Sequence, residues 1–113
     1  RYIMEKDPNG KGQHESGAKL DDGKMQPYLM MYGFSKALKA VAEVTTYGAK
    51  KYSPNGWASV RDPIPRYSNA KVRHMLDGVT ELHDPESGLL HAAHEAWNAL
   101  AVLEFMLGNK NAK

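Results

Sequence analysis

Residues 83–107, HDPESGLLHAAHEAWNALAVLEFML, decide the fold. Three of the chain's five histidines (His83, His91 and His94) fall in this segment. Leu89, Ala93, Trp97, Leu100 and Leu107 suit one packing face of a helix, while His91, His94, Glu95 and Asn98 line another. Asp84 is a good N-cap, Pro85 fits the first helical position and Glu86 the first turn, and Gly108-Asn109 provides a stop. The expected helix therefore runs over 84–107. His91, His94 and Asn98 on a helix built for burial are either unusual core residues or the wall of a site.

Two more helices lie upstream. One is expected from 29 or 35 to 51, with Phe34, Leu38, Val41, Thr45 and Gly48 on a packing face and Lys39, Glu43, Tyr47 and Lys50 on another. The second is expected over 66–82, with an apolar stripe of Val72, Met75, Val79 and Leu82 and a polar stripe of His74, Asp77 and Glu81. Between them, YSPNGWASVRDPIP (52–65) holds three prolines and an Asn-Gly pair, which read as a loop carrying Trp57. Residues 1–27 are polar and rich in Gly, Lys and Asp, and are expected to form a flexible arm. Residues 28–113 are expected to form one helical domain. No strand pattern appears. The expected class is all-α, an antiparallel bundle of three main helices.

Length and composition agree with one modest core. The chain has 113 residues, 42% hydrophobic and 25% charged, close to an average globular domain. So small a bundle leaves apolar surface to cover, and a homodimer or higher homo-oligomer is expected. The net charge of +2 is too small to argue for nucleic acid. Lys50, Lys51, Arg61, Arg66, Lys71 and Arg73 gather enough positive charge for a small anion. With no cysteine, disulfides and thiolate metal sites are excluded, which fits a reducing cytoplasm. No apolar run approaches the roughly 20 residues that span a bilayer. No signal-peptide pattern opens the sequence, and its start at Arg1 rather than Met is expected of a fragment.

Imidazoles and carboxylates at i, i+3 or i+4 on facing helices are the usual means by which bundles hold divalent ions. Here His74, Asp77 and Glu81 on one helix face His91, His94 and Asn98 on the next, with Glu43 able to complete the cluster. Four polar residues inside an apolar helix, opposite a second polar stripe, imply a shared wet cavity, because buried polar groups must be partnered. The bland alternative is a solvated amphipathic face. Trp57 is either a loop anchor or a platform for stacking a base.

The stretches GAKLDDGK (17–24), AEVTTYGAKKY (42–52), NGW (55–57), RYSNAKVRH (66–74) and TELHDPESGLLHAAHEAWNAL (80–100) together resemble the phage dATP/dGTP diphosphohydrolase family. That family is related to the MazG-like all-α nucleotide pyrophosphatases. The resemblance implies an Mg²⁺- or Mn²⁺-dependent enzyme that cleaves a purine deoxynucleoside triphosphate to monophosphate and pyrophosphate, in the host cytoplasm if phage-encoded. MazG-like enzymes hold metals with an ExxE pair and an ExxD pair. Glu81-Leu82-His83-Asp84 reads as ExxD, but no ExxE exists and Glu43 stands alone, so either His74, His91 and His94 replace carboxylates or one metal is lost.

On this reading Glu43, Glu81, Asp84, His94 and His74 hold metal, and Glu43 or His91 is the general base. Lys50, Arg66 and Arg73 bind the phosphates, Trp57 and Asn55 hold the base, and Asn98 joins the substrate site. Lys19, Asp21 and Lys24 of the arm fold over bound nucleotide. Two alternatives stay open. His83-Asp84 with His74 upstream suggests an HD-type triphosphohydrolase, although that fold also wants a later Asp and none follows Asp84. A small helical module binding nucleic acid or protein would leave the histidine face structural.

Overall fold

The computed structural model describes residues 5–108. The chain divides into two compact units, Arg1–Gly33 and Phe34–Lys113. In the first, residues 5–26 form turns without helix or strand. Asp7 organises one of them: its carbonyl accepts from Gly10 N–H at 3.0 Å and its carboxylate from Lys11 N–H at 2.7 Å. Lys19, Asp21 and Lys24 share another, in which Asp21 N–H donates to Lys19 O and Lys24 N–H to Asp21 O. The unit ends in a short exposed helix, α1 (Pro27–Gly33), where Tyr28 and Tyr32 meet edge to face.

The second unit holds three longer helices: α2 (Ser35–Lys51), α3 (Pro63–Asp77) and α4 (His91–Met106). The expected all-α class is observed, and no strand occurs among the described residues. None of these helices is long and apolar enough to cross a membrane. α4 is central, packing extensively on α3 and also on α2. The predicted loop contains one 3₁₀ turn, Gly56–Ser59, entered through Asn55 in the left-handed region at φ 60°.

α3 stops at Asp77 instead of reaching Leu82. Gly78 follows, and its N–H closes the helix on His74 O at 2.9 Å. A Cβ on Gly78 would stand 3.4 Å from His91 Cβ and 3.1 Å from His74 O. The tight contact is with the His74 carbonyl at the end of α3 itself, and the start of α4 lies at ordinary van der Waals distance.

α4 begins at His91 and not at Asp84. Asp84 does cap a turn, because its carboxylate accepts Ser87 N–H at 2.8 Å. The turn then breaks at Gly88, which adopts φ 76°, and Leu89 O returns to accept Asp84 N–H at 2.7 Å. The cap signal is genuine, and a left-handed glycine four residues later overrides its extension into a helix.

The largest departure is in which faces are buried. On α4 the inward residues are His91, Ala93, His94, Asn98 and Ala101, whereas Leu100 and Leu107 are exposed at 51% and 74%. On α3 the predicted stripe Val72, Met75, Val79 and Leu82 is exposed, and Tyr67, Ala70, Lys71 and His74 form the half-buried line. On α2, Val44 is buried and Phe34 before the helix is exposed. Of the polar stripe expected on α3, only His74 turns toward the polar face of α4, while Asp77 and Glu81 are exposed. Apolar bulk inside comes from an aromatic cluster: Trp57 meets Trp97 at 5.7 Å and Phe105 at 5.6 Å between ring centroids, Tyr67 stacks on Phe105, and the Tyr67 hydroxyl donates to Trp57 O.

Candidate metal centre

His74 comes from the last turn of α3, His91 and His94 from the first turn of α4, and Asp84 from the turn joining them. One ligand atom each from His74, Asp84 and His91 lies within 4.8 Å of the others, a group able to hold a metal ion. His74 Nδ1 and His91 Nδ1 are 2.9 Å apart. His91 is 2% exposed, and its Nε2 has no hydrogen-bond partner among the described residues. An imidazole buried with one nitrogen unpaired carries a penalty of about 1–3 kcal/mol; this nitrogen lies across the ring from the Nδ1 that meets His74.

His94 stands beside the group. Its ring stacks on His74 at 4.4 Å, 9° from parallel, and its Nε2 is 3.8 Å from Asp84 Oδ2. Ser87 Oγ lies 2.7 Å from His94 Nε2 and accepts Leu89 N–H at 3.1 Å. The arrangement that uses the hydroxyl proton has Ser87 donating to the His94 lone pair. Asn98 is the next inward residue and donates through Nδ2 to His94 O at 2.8 Å, fixing this turn of α4.

The electrostatics favour neutral rings and an ionised carboxylate. Burial pushes the His74 imidazole below its ordinary value, with Asp84 opposing and His91 adding to the shift. Burial likewise lowers His94, helped by His74. For Asp84, burial alone would raise the carboxyl, but the Ser87 hydrogen bonds and the nearby His94 and His74 outweigh it and hold it low. Neutral imidazole and ionised carboxylate are the forms that ligate metal. Three candidate ligands would leave coordination positions open on a bound ion.

α2 supplies the rim. Tyr47 and Lys51 (i, i+4) both reach Glu86 in the 84–89 turn: the Tyr47 hydroxyl donates to its carboxylate, and Lys51 Nζ is 2.6 Å from Oε2. Lys51 and then Tyr47 hold the Glu86 carboxyl below the usual range, and Glu86 in turn raises both partners. The Tyr47 ring meets His94 edge-on at 6.1 Å.

Of the residues expected from sequence, His74, Asp84 and His91 are brought together, with His94 and Asn98 adjoining. Glu43 and Glu81 are exposed and outside the group, Glu81 lying beyond the end of α3. Lys50, Asn55, Arg66 and Arg73 are exposed, and Arg66 donates to Arg61 O. Trp57 sits in the aromatic cluster. His83 is exposed while its neighbour Asp84 turns into the group, so the His-Asp pair does not converge as one ion would require of it. Ser87, Tyr47 and Glu86 were missed as site residues. Asp-x-x-Ser before a glycine was the available signal for Ser87, and Tyr47 and Lys51 at i, i+4 for the rim.

A family model described as dATP/dGTP diphosphohydrolase, N-terminal, matches residues 14–113. The chain is 34% identical over 96 residues to a dATP/dGTP diphosphohydrolase of Salmonella phage PMBT28, an alignment covering 84% of this chain and 31% of that protein. It therefore spans only about a third of that relative's length. No solved structure matches.

Proposed function

Since the chain belongs to the dATP/dGTP diphosphohydrolase N-terminal family, we propose that its second unit carries a divalent-metal centre for hydrolysis of purine deoxynucleoside triphosphates to monophosphate and pyrophosphate. The observation that carries this reading is the convergence of His74, Asp84 and His91 beside His94. The donor set fits a divalent ion: one ionised carboxylate and two converging imidazoles. Mn²⁺ suits these donors better than Mg²⁺. When bound, the ion neutralises phosphate charge and acidifies a water.

The chain's own groups do the rest. The water that attacks the α-phosphorus gives its proton to Ser87 Oγ while the Ser87 hydroxyl proton passes to His94 Nε2, to which it already donates. The bond from that phosphorus to the bridging oxygen breaks, and pyrophosphate leaves. Lys51 exchanges Glu86 for a phosphate oxygen as the triphosphate arrives, so part of its binding energy is offset by the ion pair it gives up. Tyr47 donates beside it.

The test is product identification. With Mn²⁺, dATP and dGTP should yield monophosphate and pyrophosphate in a one-to-one ratio. Nucleoside plus triphosphate would reassign the reaction, and no turnover with the helices intact would reduce the unit to a binding domain. A second expectation concerns the rim. Lys51→Met should raise KM about tenfold with kcat changed by less than about threefold, as loss of one charge-assisted phosphate contact does. Steady-state kinetics on the variant checks it, and an unchanged KM would remove Lys51 from the phosphate site.

A further inference from the structure

We infer that the His74–Asp84–His91 centre selects a first-row transition ion over Mg²⁺, with affinity rising from Mn²⁺ through Co²⁺ to Zn²⁺. The inference rests on the metal-centre reading above and adds the identity of the ion.

The first ground is donor chemistry. Mg²⁺ demands oxygen ligands in near-ideal octahedral geometry and sheds its waters reluctantly. This group offers one carboxylate and two imidazoles, with a third imidazole stacked against it. Imidazole nitrogen suits Zn²⁺ and its neighbours, and affinity among them follows the Irving–Williams order.

The second ground is spacing. His74 Nδ1 and His91 Nδ1 meet in a hydrogen bond 2.9 Å long. Two nitrogens about 2.1 Å from one tetrahedral ion lie about 3.4 Å apart, so a shift of about half an ångström lets the ion take the place of the shared proton.

The third is the packing of the rings. His94 stacks on His74 at 4.4 Å, 9° from parallel, so a third imidazole borders the group where a magnesium site would want oxygen.

The experiment uses the full 113-residue chain without a histidine tag, stripped with a chelator and titrated calorimetrically with MgCl₂, MnCl₂, CoCl₂ and ZnCl₂. Zn²⁺ and Co²⁺ should bind at least about 100-fold tighter than Mg²⁺, with Mn²⁺ between them. Bound Co²⁺ should give visible absorption of a nitrogen-ligated site. His74→Ala should weaken Zn²⁺ at least about tenfold and change the Co²⁺ bands, while His83→Ala, at an exposed neighbour, should do neither. Far-UV circular dichroism confirms that both variants stay helical.

Equal affinity for Mg²⁺ and Zn²⁺ would overturn the inference and leave the metal centre standing. Zn²⁺ bound as tightly by His74→Ala as by the parent chain would also overturn it, by placing the ion elsewhere. No binding of any ion would sink the metal-centre reading itself.

Discussion

Asp84→Asn is expected to bring purine triphosphate hydrolysis down to the no-enzyme background while leaving the helices in place. The exchange removes one charge and almost no volume. The Asn side-chain oxygen still accepts the Ser87 N–H that Asp84 accepts at 2.8 Å, so the turn that aims the residue survives. The ionised oxygen beside His74 and His91 does not. Losing an outer-shell partner of a metal ligand already costs roughly 10–100-fold in metal affinity, and losing the only carboxylate of a three-residue group should exceed that. Calorimetric metal titration and product chromatography read the two losses separately, and thermal denaturation should show a stability change within about 1 kcal/mol, the scale of one weakened hydrogen bond. Glu81→Gln is the matched comparison, because Glu81 is exposed and outside the group. It should keep activity within about twofold, as exposed substitutions usually do. If Glu81→Gln were the variant that lost the ion, the centre would be built on the Glu81–Asp84 carboxylates and not on histidine.

How much of this site could be read in advance depended on which physical signal each residue carries. His91, His94 and Asn98 were visible because polar groups at i, i+3 and i+7 in an apolar helix need partners, and they prove to be the buried face of α4. The identity of that face was hidden. Residues 89–107 are apolar nearly all the way round, so helical periodicity cannot say which side is inward. The answer lies in α3, whose inward line is Tyr67, Ala70, Lys71 and His74, a line that takes imidazole and small residues opposite it. Leu100 is left outside for the same reason.

Asp84 shows a second limit. Cap residues, a first-position proline and a first-turn carboxylate announce a helix start, and the structure makes one turn of it. Whether the turn continues is decided by Gly88, since glycine is compatible with a helix interior at modest cost and with φ 76° at none. Closing the turn there aims the Asp84 carboxylate and Ser87 hydroxyl at α4, an arrangement a longer helix would not make. Glu43 and Glu81 were drawn in first by helical spacing and then by a motif written for carboxylates, whereas the chain presents histidine at the end of α3 and the start of α4.

His94→Gln separates the two roles a histidine beside this group can have. As the final proton acceptor, His94 takes a proton at Nε2 from Ser87 Oγ, 2.7 Å away, as the water gives its own to that hydroxyl. Glutamine can keep a hydrogen bond to Ser87 but cannot take a proton, so kcat should fall about 10²–10⁴-fold, the usual contribution of a positioned general base. KM and Zn²⁺ affinity should stay within about threefold, because His74, Asp84 and His91 remain. Single-turnover kinetics at saturating metal, paired with calorimetry, measures both. A loss of metal affinity in step with the loss of rate would make His94 a fourth ligand, and the proton would then need another acceptor. Ser87→Ala sharpens the distinction: it removes the group that fixes the imidazole without touching the three ligands. If His94 is the base, that variant should lose part of the rate, keep the ion, and lose almost nothing further when His94→Gln is added, because the two residues act as one unit.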